Sequence, residues 1–188
     1  MINFIKNIAR EAGKIAVNKS KNLSGLSICS KKTDKDLVTA VDREIEEFLI
    51  ARIHREFPGH GIYGEETGVC NTGGKYRWVI DPIDGTTSYI HGLQYYAVSI
   101  ALQRDKQNIA GVVNAPALGE LFSAEKGKGA FLNARPIKVS RRGLLKEALL
   151  ATGFACVRAN LEDNNLKYFA RVLPAIRCIR RCGSAALD

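Results

Sequence analysis

The stretch Trp78–Tyr89, WVIDPIDGTTSY, limits the folds open to this chain more than any other. Trp78, Val79 and Ile80 are bulky and β-prone, and predict the end of a buried strand. Asp81 then stands where that strand runs out. Pro82 has no N–H and a fixed φ, so the ladder is expected to stop there and the chain to turn. Asp84 comes two residues after Pro82, and Gly85 admits a tight or left-handed backbone. Thr86 and Thr87 suit a helix start, whose first N–H groups lack intrahelical partners and would face the turn. Two carboxylates and the Ile83 carbonyl thus face a helix N-terminus. Hard divalent cations take such oxygens, and phosphate takes such an N-terminus. The pattern predicts a metal-assisted phosphoryl site.

Asp-Pro and Asp-Gly pairs also form ordinary turns, and alone this motif would read as one. A second acidic cluster changes that reading. Gly64-Glu65-Glu66-Thr67 also comes after a short apolar run, Ile62-Tyr63. Adjacent carboxylates at a strand end are poor core chemistry, because buried acids need partners. Two such clusters in one chain are hard to reconcile with solvated turns.

The rest of the sequence predicts a single α/β unit. Residues 3–20 form an amphipathic helix, with Phe4, Ile5, Ile8, Ala9, Ala12, Ile15 and Ala16 at helical spacing. Residues 21–35 are polar and Lys-rich, a loop or short hairpin. Asp36 to Asp42 leads into a second helix whose buried stripe is Ile45, Phe48, Leu49 and Ile53, ended by Pro58-Gly59. Strands are expected at 61–64 and 77–81, then a short helix after Thr86. Runs at 95–104, 108–115 and 119–125, separated by polar turns, predict an antiparallel meander. Gly127, Gly129 and Asn133 punctuate a further hairpin. A strand at 147–152, a helix over 163–173, a strand at 176–181 and a helix start at Gly183-Ser184-Ala185 complete the series. No repeat, low-complexity segment or linker divides it, so residues 1–188 read as one domain.

Composition narrows the function classes. Hydrophobic content of 46% with 25% charged residues excludes a disordered chain. No apolar run reaches membrane-spanning length, and the charged N-terminus lacks the apolar core of a signal peptide. The five cysteines, odd in number and scattered, read as free thiols of a reducing cytoplasm. Cys178 and Cys182 lack the second pair a zinc site needs. A net charge of +9 allows attraction of phosphorylated substrates or nucleic acid, or simply a solvated surface. The basic residues are dispersed (Lys31 and Lys32, Arg141 and Arg142, Arg180 and Arg181) without an aromatic-interleaved stripe, which favours the solvated surface over nucleic acid. His54, His60 and His91 have no metal-ligand spacing partner and read as structural or surface residues.

GEET at 64–67, WVIDPIDGTTSYIHG at 78–92 and AVSIAL at 97–102 resemble the inositol monophosphatase family of metal-dependent phosphatases. DLVTAVD at 36–42, GELFSAEKGKGAFLN at 119–133, ATGF at 151–154 and RRCGSAALD at 180–188 extend the resemblance over nearly the whole chain. It implies an α/β (α+β) layered sandwich, with sheets between helices and the site where their ends converge. It also implies Mg²⁺-dependent hydrolysis of a small polyol or sugar phosphate, inositol monophosphate first. Phosphate monoesters hydrolyse extremely slowly unaided, and two Mg²⁺ ions supply both the nucleophile and the charge neutralisation. By resemblance Asp81 bridges the two ions, Glu65 and the Ile83 carbonyl complete the first, and Asp84 helps to hold the second. Thr86 pairs with Asp42 to position and deprotonate the attacking water. The residues alone leave Asp42 a second reading, as N-cap or first-turn acid of its helix. The N–H groups of Gly85 and Thr86 are expected to hold the phosphate. Substrate contacts fall on Glu65, Ile83, Asp84, Gly85, Thr86, Gly183, Ser184 and Ala185. Glu66 binds through water or steadies its loop, and Lys31 lies near the site by analogy.

Two departures stand out. Ser88 occupies a position where the family often has Asn. The family pattern also continues past GSAALD into further strands and helices carrying a Trp-Asp ligand of the second metal. Here the sequence stops at Asp188, and the single Trp is Trp78. The chain is therefore expected to be truncated at its C-terminus and, as written, nearly inactive. The substrate stays open between inositol phosphate and fructose 1,6-bisphosphate, histidinol phosphate, NADP or 3′-phosphoadenosine phosphate. A non-catalytic relative that binds the transcription machinery is the alternative class. A cytoplasmic homodimer without membrane attachment is the expected assembly.

Overall fold

Period-two burial along the predicted meander builds the central sheet. Val98, Ile100 and Leu102 are buried while Ser99 and Ala101 between them are half-covered, as alternation in a one-faced strand requires. The computed structural model describes residues 1–22, 28–30, 37–71 and 74–188. Its elements run α1 (Ile2–Ser20), β1 (Ile28–Ser30), β2 (Leu37–Thr39), α2 (Ala40–Glu56), β3 (Gly61–Gly64), β4 (Gly68–Asn71), β5 (Tyr76–Asp84) and α3 (Thr86–Ile90). Then come β6 (Ala97–Arg104), β7 (Gln107–Ala115), β8 (Glu120–Glu125), β9 (Gly129–Leu132), β10 (Arg135–Ile137), β11 (Leu149–Ala151), α4 (Ala155–Arg158), α5 (Leu166–Val172) and β12 (Cys178–Arg180). Lys31 and most of the 21–35 segment lie outside the described residues.

Eight strands form one sheet in the order β10-β9-β8-β7-β6-β5-β3-β4. All neighbours pair antiparallel except β3 and β5, which run parallel. Asp105 and Lys106 both take positive φ (49° and 65°) in the two-residue turn between β6 and β7, as a right-twisted hairpin demands. Two small sheets, β1 with β2 and β11 with β12, stand apart from it.

One face of the sheet is covered by the two long helices, α1 against β6–β8 and α2 against β5. The expected stripes are the buried ones: Ile5, Ile8, Ala9, Ala12 and Ala16 on α1, and Ile45, Leu49 and Ile53 on α2. Phe4, Ile15 and Phe48 pack partly buried against that core. Each fully buried aliphatic side chain contributes about 1.5–3 kcal/mol, so Ile45→Ala should cost about 2–5 kcal/mol. Tyr89 of α3 is fully buried and donates its hydroxyl to Ala16 O at 2.8 Å, tying the short helix to α1. Trp78 is fully buried too, and its indole N–H reaches His60 Nδ1 at 3.0 Å. His60 stacks on Phe57 and Tyr76, which confirms its structural reading.

The structure corrects one expectation. β5 does not end at Asp81 but continues through Pro82 to Asp84. Asp81 faces Ser99 and Asp84 faces Ala97, so three steps on β5 match two on β6. That mismatch is a bulge, and a bulge is where a strand tolerates a residue that cannot donate. The expected helix start at Gly183-Ser184-Ala185 is a single turn, closed by Asp188 N to Ser184 O at 3.0 Å.

Candidate active site

The parallel pairing of β3 with β5 brings the two acidic clusters together. Parallel strands end on the same side of a sheet, so the chain leaving Gly64 meets the chain leaving Ile80. These two residues are in register, and Glu65 N donates to Ile80 O at 3.1 Å. Asp81 is therefore beside Glu65, whose carboxylate bears on it. Asp81 Oδ1 is enclosed and finds no hydrogen-bond partner among the described residues. Burial first, and then the charges of Glu65, Asp84 and Asp42, push the Asp81 carboxyl up to about 9. An enclosed carboxylate oxygen without a donor is costly, and one more positive charge would relieve it. The groups whose charge bears on it are the carboxylates of Glu65, Asp84 and Asp42, oxygen ligands of the kind a hard divalent cation takes. Among the described residues no three His, Cys, Asp or Glu side chains already stand in ligating geometry.

Helix α2 supplies Asp42 and β5 leads directly to Thr86. Thr39 caps α2, accepting from Val41 N (3.1 Å) and Asp42 N (3.4 Å). Asp42 answers as the third helical residue, its Oδ2 accepting from Thr39 N (2.9 Å) and from the Thr39 hydroxyl (2.5 Å). The other oxygen, Oδ1, accepts from the Thr86 hydroxyl at 3.2 Å. Asp42 thus caps its helix through Oδ2 and meets the Thr86 hydroxyl through Oδ1. Asp42 is only 1% exposed, and burial raises its carboxyl against the lowering effect of the Thr39 and Thr86 donors. The Thr86 hydroxyl also lies 3.1 Å from Ile83 O, so its one proton has two acceptors in reach.

Asp84 ties the site to the segment after β12. Its Oδ2 accepts from Ser184 Oγ (2.5 Å) and Ala186 N (2.6 Å), and its Oδ1 from Ala185 N (3.1 Å). The substrate-contacting segment expected at Gly183–Ala185 is thus held against the site through this carboxylate. Gly85, the N-cap of α3, takes φ 97°, and a Cβ there would stand 2.8 Å from Tyr95 O and 3.2 Å from Gly183 O. Only glycine meets both demands. Ser88 Oγ donates to Cys182 O at 3.2 Å, a second tie to the same segment.

A cavity of about 560 Å³ is lined by Glu65, Asp84, Gly85 and Thr86 together with Phe154, Arg158, Arg181 and Gly183. The sequence reading missed the two arginines, whose distance along the chain hides them. It also missed Glu46, which is fully buried and accepts from the backbone of the acidic loop, at Glu66 N (3.0 Å) and Thr67 N (2.7 Å). One signal was available: Glu46 stands four residues after Asp42, inside the apolar stripe of α2.

Comparison with known proteins points to one family. The Nus factor SuhB of Pseudomonas aeruginosa is 40% identical over 193 residues, covering 100% of this chain and 71% of that protein. The inositol-1-monophosphatase of Mesorhizobium japonicum is 35% identical over 189 residues, again covering 100% of this chain and 71% of its own length. The crystal structure of the extragenic suppressor protein suhB of Bartonella henselae superimposes with a TM-score of 0.90 at 33% identity, over 99% of this chain and 71% of that one. The pattern of the inositol monophosphatase family matches residues 1–188, and the chain belongs to that family.

Proposed function

We propose that this chain carries the site of a Mg²⁺-dependent phosphatase acting on the monoester of a small polyol or sugar, with inositol monophosphate the first candidate. One observation carries the reading: the enclosed Asp81 Oδ1, without a partner among the described residues and crowded by Glu65, Asp84 and Asp42. A relative named inositol-1-monophosphatase supports the substrate. Glu65, Asp81 and the Ile83 carbonyl would hold a first ion, and Asp81 with Asp84 a second. When bound, Mg²⁺ neutralises charge on the phosphoryl oxygens and acidifies water enough to make it a nucleophile.

The chain's own groups do the rest. With the Thr86 proton directed at Asp42 Oδ1 (3.2 Å), a lone pair on Thr86 Oγ1 is left to accept from water and orient it. As that water attacks phosphorus and the ester P–O bond breaks, its proton passes to Thr86 Oγ1 and the Thr86 proton to Asp42 Oδ1, while the departing polyol oxygen takes a proton from solvent water. Burial makes Asp42 a stronger base than an exposed carboxylate, which suits this role. The N–H groups at the start of α3, from Gly85 and Thr86, bind phosphoryl oxygens. Gly183 and Ala185 line the polyol side of the cavity, and Ser184, buried between them, gives its hydroxyl to Asp84 and acts on the substrate through that carboxylate. We place the enzyme in the cytoplasm, as a homodimer, in keeping with the free thiols of Cys156, Cys178 and Cys182.

Phosphate release tests this, with the gene product read to its stop codon, with Mg²⁺ and with chelator. The panel is inositol monophosphate, fructose 1,6-bisphosphate, histidinol phosphate, NADP and 3′-phosphoadenosine phosphate. Mg²⁺-dependent release from one of them is expected, and none from any would end the reading. A second reading, a regulatory protein of the transcription machinery, draws on the 40% identical relative named Nus factor and on the net charge of +9.

A further inference from the structure

We propose that Glu46 is the positioning residue that sets the cation affinity of the site, by fixing the backbone of the acidic loop behind Glu65. The inference rests on the metal reading above. Glu46 is a carboxylate with 0% exposure on the buried side of α2, among the aliphatic Val41, Ile45, Leu49 and Ile53 and the one other buried acid, Asp42. An acid at such a place is costly unless donors surround it. The donors here come from the loop that carries Glu65: Glu66 N at 3.0 Å on Oε2 and Thr67 N at 2.7 Å on Oε1. Each carboxylate oxygen therefore takes one backbone N–H, a charge-assisted pair that a neutral side chain cannot reproduce.

The approach from the strand side is equally close. A Cβ on Gly64 would stand 2.5 Å from Glu46 Cδ and Oε1, so the chain passes over the carboxylate with no room for a side chain. Gly64 is buried, and the residue after it is Glu65, whose N–H is fixed on Ile80 O. Glu65 is thus held from both ends, by β5 before it and by Glu46 after it. Helix α2 presents Asp42 and Glu46 one turn apart on one face. The first serves the Thr86 hydroxyl and the second the Glu65 loop, so a single rigid element registers both halves of the site. Residues that orient ligands in this way typically change metal affinity by about 10–100-fold when removed.

In Glu46→Gln the amide oxygen can accept from one loop N–H, while its NH₂ is set against the other. The measurement is Mn²⁺ binding by calorimetry on the wild type, Glu46→Gln and Gly64→Ala, with circular dichroism to report folding. The KM for the phosphate ester at saturating Mg²⁺ is the companion readout. Glu46→Gln should raise the Mn²⁺ dissociation constant at least about tenfold and leave KM at saturating Mg²⁺ nearly unchanged. Gly64→Ala keeps the carboxylate but displaces it from the loop, and should weaken Mn²⁺ in the same direction; it decides the matter if Glu46→Gln fails to fold. Folded variants that bind Mn²⁺ as the wild type does would reduce Glu46 to a structural tie and overturn the inference alone. A wild type that binds no Mn²⁺ would overturn the metal reading and this inference together.

Discussion

Asp42 gives the sharpest separation of structure from chemistry, because its two oxygens serve different tasks. Oδ2 closes the capping box with Thr39, and Oδ1 receives the Thr86 hydroxyl. In Asp42→Asn one task can be kept by the amide oxygen, while the base is lost whichever way the amide turns. A cap of this kind contributes about 1 kcal/mol. The substitution also removes a buried carboxyl that its surroundings hold above its ordinary value, a relief that offsets part of the lost cap. The net stability change should stay within about 1 kcal/mol, or roughly 2–4 °C in Tm for a chain of this size. Loss of a positioned base costs about 10²–10⁴ in rate. Thr39→Ala is the matched control: it removes the cap hydroxyl and leaves Oδ1 and Thr86 in place. The assay is phosphate release at saturating Mg²⁺ beside thermal melts of both variants. Asp42→Asn should lose at least about a hundredfold in turnover while melting within a few degrees of Thr39→Ala, which should keep most of its turnover. Equal, small losses in both would show that Asp42 only caps its helix, and the proton route through Thr86 would fall.

Gly85→Ala forces a side chain into φ 97° and a Cβ to 2.8 Å from Tyr95 O. The left-handed strain alone is about 1–2 kcal/mol, so melts should show a drop of several degrees with activity lost alongside. In the metal-free protein Asp81 is pushed up to about 9 and Asp42 is also raised. A raised carboxyl stabilises the fold while protonated, so stability is full below about pH 4 for these groups and declines as pH rises toward 9. Chelator-treated protein should therefore melt progressively lower across that window, and Mg²⁺ should restore more at its upper end; a flat profile would contradict the buried charge at Asp81. If the +9 charge is a solvated surface, nucleic-acid binding should vanish at physiological salt, and submicromolar binding there would favour the regulatory reading.

Much of this fold is written in short-range patterns. Ile5, Ile8, Ala12 and Ala16 recur at helical spacing, and Val98, Ile100 and Leu102 alternate, so α1 and β6 were legible. Asp81, Asp84 and Glu65 were legible as a candidate site because acids at strand ends need a reason. What stayed hidden depends on pairing between distant segments. The continuation of β5 past Pro82 needs the bulge against β6, which no local rule announces. The parallel register of β3 and β5 joins residues sixteen apart and decides that Glu65 meets Asp81. The turn of Asp84 toward Ser184, Ala185 and Ala186 spans a hundred residues or more. β4 was missed because its four residues, Gly68–Asn71, carry little pattern of their own.

The central claim is that the Asp81 carboxylate is the point on which cation binding and turnover both depend. The direct measurement is Mg²⁺-dependent phosphate release from inositol monophosphate by the gene product read to its stop codon, wild type against Asp81→Asn, with circular dichroism of both. Asp81 Oδ1 has no partner among the described residues, so the amide disturbs no hydrogen bond on that oxygen and the fold should survive. The account predicts that the Asp81→Asn spectrum matches the wild type while release falls to background at every Mg²⁺ concentration. Near-normal release by a folded Asp81→Asn protein at saturating Mg²⁺ would contradict it.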